Sequence, residues 1–156
     1  MNRVVLFSTK YGSTKRVAKD IARFLDIENN VFDVEKEIPE LTNFDDIILG
    51  FPVYAGSTTR AFRSFIKKNR DEIINKVSGI FVLCWDDSRL NNYIENIFPS
   101  ELRSDVYIKC VGGEINPNDL LEVEKSIIFN LTGIEKRTSS IDEKKIKAFA
   151  EKLLNR

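Results

Sequence analysis

The chain has 156 residues, 42% hydrophobic and 31% charged, with 7 Gly and 4 Pro, a composition that excludes disordered and fibrous classes and suits one globular domain. Its 24 Lys and Arg balance 24 Asp and Glu, so no global field attracts a nucleic-acid backbone or an anionic membrane. With no histidine in the chain, histidine-base catalysis and histidine-ligated metals are excluded, and any chemistry is expected to come from a bound cofactor.

Residues 4–7 form a continuous apolar run, closed by Ser8, Thr9, Lys10, Tyr11 and Gly12. A helical stripe follows at Val17, Ile21, Phe24 and Leu25, giving strand, turn and helix. The start of the chain runs straight into this strand without an apolar leader segment, so a cytoplasmic protein is expected. Residues 30–35 read as a weaker alternating strand and residues 46–51 as a strong one, with Pro52 ending its ladder. Ala61, Phe62, Phe65, Ile66, Asn69 and Ile73 predict one helix, and residues 79–85 a strand buried on both faces.

Tyr93, Ile94, Ile97 and Phe98 predict a short helix before Pro99, then residues 106–111 a fifth strand stopped by Gly112 and Gly113. The next helix carries Leu120, Val123, Ile127, Ile128 and Leu131 before Gly133, and the expectation is that this stripe is buried. The final helix is expected to open on a capping box at residues 140–143, with Ile146, Phe149, Ala150 and Leu153 as its core stripe. No apolar run reaches the ~20 residues of a membrane helix. Cys84 and Cys110 stand apart without C-x-x-C spacing and read as two buried, reduced thiols.

Strands alternating with helices predict an α/β fold: a doubly wound, five-stranded parallel sheet of order 2-1-3-4-5 with helices on both faces. Ligands in such sheets bind beyond the carboxyl ends of the strands, which selects three loops, residues 8–14, 52–59 and 85–91. The first sets hydroxyls around a glycine at a helix start, where free N–H groups favour a phosphate, although turn-forming and capping explain the same residues equally well. It lacks the second glycine of a Walker A motif, and no G-x-G-x-x-G is present. Tyr54 and Trp85 read singly as ordinary packing, but with a phosphate loop on the same sheet edge a planar phosphorylated cofactor is the better joint reading.

Thr9-Lys10-Tyr11-Gly12-Ser13-Thr14 resembles the phosphate loop [ST]-x-T-G-x-T of the flavodoxin family, with Tyr11 in place of the middle threonine. The resemblance covers essentially the whole chain and implies one FMN-binding domain over residues 1–156. In it, Thr9, Lys10, Tyr11, Gly12, Ser13 and Thr14 would hold the phosphate, and Pro52, Val53, Tyr54, Ala55, Gly56, Ser57, Trp85, Asp86, Asp87 and Ser88 the flavin ring. Gly50-Phe51-Pro52-Val53-Tyr54-Ala55-Gly56 and Val111-Gly112-Gly113-Glu114-Ile115 are similar to the branch that contains the menaquinone-linked protoporphyrinogen dehydrogenases. That branch also shares an extra helical element, here at about residues 116–140.

The resemblance implies an electron-transfer protein that works between redox protein partners, with a quinone-linked dehydrogenase acting on a tetrapyrrole or small substrate as the alternative. Glu122 and Glu124 beside a single Lys125 argue against a membrane-facing insertion. A cofactor-free interaction module is the further alternative, because Tyr11 fills a threonine's place. No catalytic side chain and no metal site are expected. Asp86 and Asp87 are candidates to oppose the negative charge gained on full flavin reduction, or equally a solvated cap.

Overall fold

In a computed structural model, residues 1–54 and 56–156 are described. Five strands, β1 (Arg3–Phe7), β2 (Val31–Asp33), β3 (Asp46–Pro52), β4 (Val77–Leu83) and β5 (Tyr107–Cys110), form a parallel sheet of order β2-β1-β3-β4-β5. The expected order is therefore the observed one. Successive residues of a strand face opposite sides, so each of these near-continuous apolar runs feeds two cores.

Val4, Leu6, Ile47, Leu49, Phe51, Ile80 and Val82 pack on one side against α2 (Arg60–Lys68), α3 (Arg70–Lys76) and α4 (Leu90–Ile97). Val5, Phe7, Ile48, Phe81 and Leu83 pack on the other against α1 (Ser13–Phe24) and α6 (Glu143–Leu154). Gly50 belongs to this second face, where a Cβ would lie 1.9 Å from the Phe81 ring, its partner across the β3–β4 ladder.

The single helix expected over residues 61–73 is two. Asn69 leaves helical geometry at φ −114°, and its side-chain amide donates to the Phe65 carbonyl at 3.0 Å, ending α2 before α3 restarts at Arg70. The capping box expected at residues 140–143 is also different. Asp142 caps α6 by accepting from the Lys144 N–H at 2.9 Å, while Ser140 Oγ accepts from the Gly113 N–H at 3.0 Å.

That Ser140 bond secures a small antiparallel ribbon of β6 (Glu114–Ile115) and β7 (Thr138–Ser139), which had no sequence signal and forms the stem of the insertion. Gly112, at φ +97°, admits the passing chain: a Cβ there would meet the Ser140 carbonyl oxygen at 2.1 Å. Between the ribbon strands lies α5 (Glu122–Thr132), stopped by Gly133 in the left-handed region. Its stripe is not buried, contrary to expectation. Val123 and Leu131 are each 71% exposed, and Leu121, Ile127 and Phe129 are exposed as well. No residue of α5 is buried, so the helix does not pack on a sheet face as α1 and α6 do.

Candidate functional site

The carboxyl ends of β1, β3 and β4 carry the three loops selected from sequence. After β1, the Ser8 N–H donates to the Gly50 carbonyl at 3.1 Å, which seats the first loop against β3. Thr9 Oγ1 then accepts from the Gly12 N–H at 2.8 Å and closes the turn, and Gly12 takes φ +100° at the start of α1. A glycine contributes no capping side chain, and α1 has none. Its first N–H groups, from Ser13, Thr14 and Lys15, are thus left at the open positive end of the helix.

Two hydroxyls sharpen this picture. Ser8 Oγ and Thr58 Oγ1, one from each of the first two loops, are buried without a hydrogen-bond partner among the described residues. Buried polar groups in proteins are nearly always satisfied, so two orphaned hydroxyls at the ends of neighbouring loops suit a polar ligand. Neither was singled out as a binding residue from sequence, although both lie within loops that were.

The second loop leaves β3 after Pro52, and the Val53 N–H continues the ladder to the Leu83 carbonyl at 2.9 Å. Tyr54 and Ser57 exchange backbone hydrogen bonds at 2.7 and 2.9 Å around a turn in which Gly56 sits at φ +80°. Ala55 lies outside the described residues. Ser57 Oγ accepts from Arg63 Nε at 2.9 Å, and Thr59 caps α2 through the Phe62 N–H.

Three of the expected site residues meet. The Tyr11 and Tyr54 rings pack edge to face with centroids 5.8 Å apart, and Lys10 Nζ lies 5.1 Å from both centroids. Lys10 also pairs with Glu124 of α5 at 2.6 Å, and the Tyr11 hydroxyl donates to the same carboxylate at 3.3 Å. The Glu124 bond raises Lys10 above the ordinary lysine value and holds Glu124 below the usual carboxylate range. Burial pushes the Tyr54 phenol up, keeping it neutral. Glu124 was noted in the sequence only as one acid of the insertion, because a contact 114 residues from Lys10 leaves no local pattern.

The third loop follows β4. Trp85 is 43% exposed, and Asp86 accepts from the Ser88 N–H at 3.0 Å, so Asp86 is the cap of a short 3-10 turn at Asp87–Arg89. The Ser88 hydroxyl and N–H hold Asp86 below its ordinary value. Asp87 is solvent-exposed beside it. Gly113 packs beneath this loop, since a Cβ there would meet the Cys84 carbonyl carbon at 3.1 Å and the Trp85 nitrogen at 3.2 Å. Glu114, the next residue, is engaged by Arg16 and, at 3.0 Å, by Arg137.

A family model described as a flavodoxin domain matches residues 4–142. The chain is 29% identical over 85 residues to protoporphyrinogen IX dehydrogenase [quinone] of Escherichia coli K12; the match covers 52% of this chain and 47% of that protein, about half its length. Its fold is similar to oxidised flavodoxin 1 from Bacillus cereus, at 17% identity and a TM-score of 0.58 with 100% of this chain and 99% of that chain covered. It is also similar to a Fusobacterium nucleatum flavodoxin variant bound to flavin mononucleotide, at 21% identity and a TM-score of 0.50 over 70% of this chain and 68% of that one. Among the described residues no helix is long and apolar enough to cross a membrane.

Proposed function

The chain belongs to the flavodoxin family, and on that premise we propose that it binds FMN and passes electrons between redox protein partners. The observation that carries the reading is the uncapped start of α1 behind Gly12, together with the buried hydroxyls of Ser8 and Thr58, which have no hydrogen-bond partner among the described residues. An anion with several acceptor oxygens would satisfy the helix N–H groups, the two hydroxyls and the positive end of the helix dipole together.

In this reading Thr9, Lys10, Tyr11, Gly12, Ser13 and Thr14 hold the phosphate, joined by Ser8 and Thr58. Pro52, Val53, Tyr54, Ala55, Gly56 and Ser57 flank one side of the ring, and Trp85, Asp86, Asp87 and Ser88 the other. FMN, when bound, supplies the one- and two-electron chemistry. The chain's own groups position it: Tyr54 offers a neutral aromatic edge, Trp85 a half-exposed face, and the Asp86 and Asp87 carboxylates a local negative field. No side chain is required as acid or base. A single domain over residues 1–156 and a cytoplasmic setting are part of the proposal.

A quinone-linked dehydrogenase is the second reading, and the exposed apolar residues Leu121, Val123 and Leu131 of α5 favour it. An arm that leaves Leu121, Val123 and Leu131 in solvent suits contact with a substrate or partner better than a covering role. Deleting the insertion would abolish turnover in a dehydrogenase and spare FMN binding.

The test is the visible absorbance of the purified protein before and after adding FMN and removing the excess. Gly12→Asp and Gly12→Ala are measured beside it, because both strain the φ +100° backbone and only the first adds a carboxylate to the loop. A flavin band held by the parent, weakened in Gly12→Ala and lost in Gly12→Asp is expected. A parent that retains no flavin overturns both redox readings in favour of a cofactor-free interaction module.

A further inference from the structure

Cys84 and Cys110 are separated by 26 residues and come from neighbouring strands, yet their sulfurs lie 2.6 Å apart. Cys110 ends β5, paired in register with Val82, and Cys84 follows β4 two residues later on the same face of the sheet. Gly113, just beyond β5, runs so close to the end of β4 that a Cβ there would meet the Cys84 carbonyl carbon at 3.1 Å. Both thiols are free and buried in the core on that side.

Ordinary packing explains one buried cysteine but not the convergence of two on a single point. Cys84 donates its S–H to Cys110 Sγ, and the Gly112 N–H adds a second bond; together they hold the Cys110 thiol below the ordinary value while Cys84 is pushed up. The thiolate is the nucleophilic form of cysteine, so the two sulfurs are chemically distinct. Cys110 is the less deeply buried of the two, at 8% exposure against 2% for Cys84. It lines an open groove of about 380 Å³ along the β5 edge, with Asp87, Leu90, Lys109 and Lys145 around it.

We propose that Cys84 and Cys110 are a redox-active dithiol that closes reversibly to an intrachain disulfide, with a small hydroperoxide entering the β5-edge groove as the oxidant. The Cys110 thiolate attacks the terminal peroxide oxygen, the O–O bond breaks, and the departing oxygen takes a proton to leave as water or an alcohol. Cys110 is then a sulfenic acid. The Cys84 sulfur attacks the Cys110 sulfur, the S–S bond forms, the S–O bond breaks, and the hydroxyl leaves as water with the Cys84 proton. Overall the dithiol loses two electrons and two protons, and the peroxide is reduced by two electrons. The bridge ties the end of β4, immediately before Trp85, to the edge strand of the sheet. This inference does not depend on a flavin being bound.

The experiment treats the full chain with hydrogen peroxide, then denatures it in excess iodoacetamide and reads the intact mass and a non-reducing peptide map. The reduced protein takes up two alkyl groups, one for each of its two cysteines. After peroxide the expected protein takes up none and is lighter than the unalkylated parent by two hydrogens. Its map shows the Cys84 and Cys110 peptides joined, and dithiothreitol restores both thiols. Fluorescence of Trp85, the single tryptophan, changes at the rate of thiol loss. In Cys84→Ser the sulfenic acid on Cys110 persists and is trapped by dimedone; if that variant does not fold, the parent's peptide map decides alone. Two alkylatable thiols after peroxide, oxidation to sulfinic or sulfonic acid without a linked peptide, or a bridge between chains overturns the proposal.

Discussion

Lys10 of the first loop and Glu124 of α5 form an ion pair of 2.6 Å that joins the insertion to the site it overhangs. The same ammonium faces the Tyr11 and Tyr54 rings, so one lysine holds together the first loop, the second loop and the arm. In the proposed function a phosphate dianion competes with Glu124 for Lys10, and the carboxylate also repels it.

Glu124→Gln is therefore expected to tighten FMN binding. Ion pairs open to solvent are weak, so the gain in Kd is a few-fold at most. Glu124 also accepts from the Leu121 N–H at 3.0 Å at the start of α5, a bond that glutamine keeps, which limits damage to the helix itself. Flavin fluorescence titration reads the change, and weaker binding would show that the arm assists the phosphate loop.

The same contact should respond to pH at the acid end. Glu124 has its acid strength increased by Lys10, so its contribution is complete above the ordinary carboxylate value and is lost as pH falls through its lowered one. Lys10 is raised, so its part is complete below the ordinary lysine value and lost only as pH climbs through the raised one. Hydrogen exchange of the α5 amides, corrected for intrinsic rates, is expected to be flat from pH 5 to 9 and to rise below about pH 4. Exchange that is equally fast throughout would show that the pair does not restrain the arm.

Gly50→Ala tests the interior under the site. The added methyl would enter the Phe81 ring, which packs edge to face on Phe149 of α6 at 5.9 Å and has little room to retreat. Overpacking of this kind costs about 2–3 kcal/mol, a fall in Tm of roughly 4–12 °C for a chain of this size. Thermal unfolding followed by circular dichroism measures it, and Phe81→Leu in the same chain should recover part of the loss. An unchanged Tm would mean that the ring moves freely.

The sheet was legible because each central strand is a short apolar run between turn residues, as in residues 47–51, too short for a helix and buried on both faces. The loop at Thr9–Gly12 was legible for the same local reason: hydroxyls and a glycine mark a turn before a helical stripe. What failed depended on distance along the chain. The apolar stripe of α5 has helical spacing, but periodicity says only that one face differs from the other, not that anything covers it. The partnerships of Lys10 with Glu124 and of Cys84 with Cys110 bring together residues that no sequence window contains. Asn69 was read as part of the helical stripe because spacing alone continues the helix, whereas its side-chain bond to the Phe65 carbonyl ends it.

The third loop gives a prediction in which geometry separates charge from structure. Asp86 caps the turn at Asp87–Arg89, and asparagine is as good a cap as aspartate, so Asp86→Asn keeps the turn while deleting the charge. If the proposed FMN ring lies beside Trp85, removing a carboxylate makes full reduction of the bound cofactor easier and raises its second reduction potential. Asp86 and Asp87 both stand in solvent, where the effective dielectric is high and salt screens their field, so each substitution acts weakly. Asp87→Asn should act in the same direction, and the double variant should show the sum. Anaerobic redox titration of the FMN-loaded proteins at low ionic strength measures the effect, and raising the salt concentration should shrink it. Potentials unchanged in both single variants and in the double would leave the two acids with the cap alone, and would place the charge control of the ring elsewhere in the site.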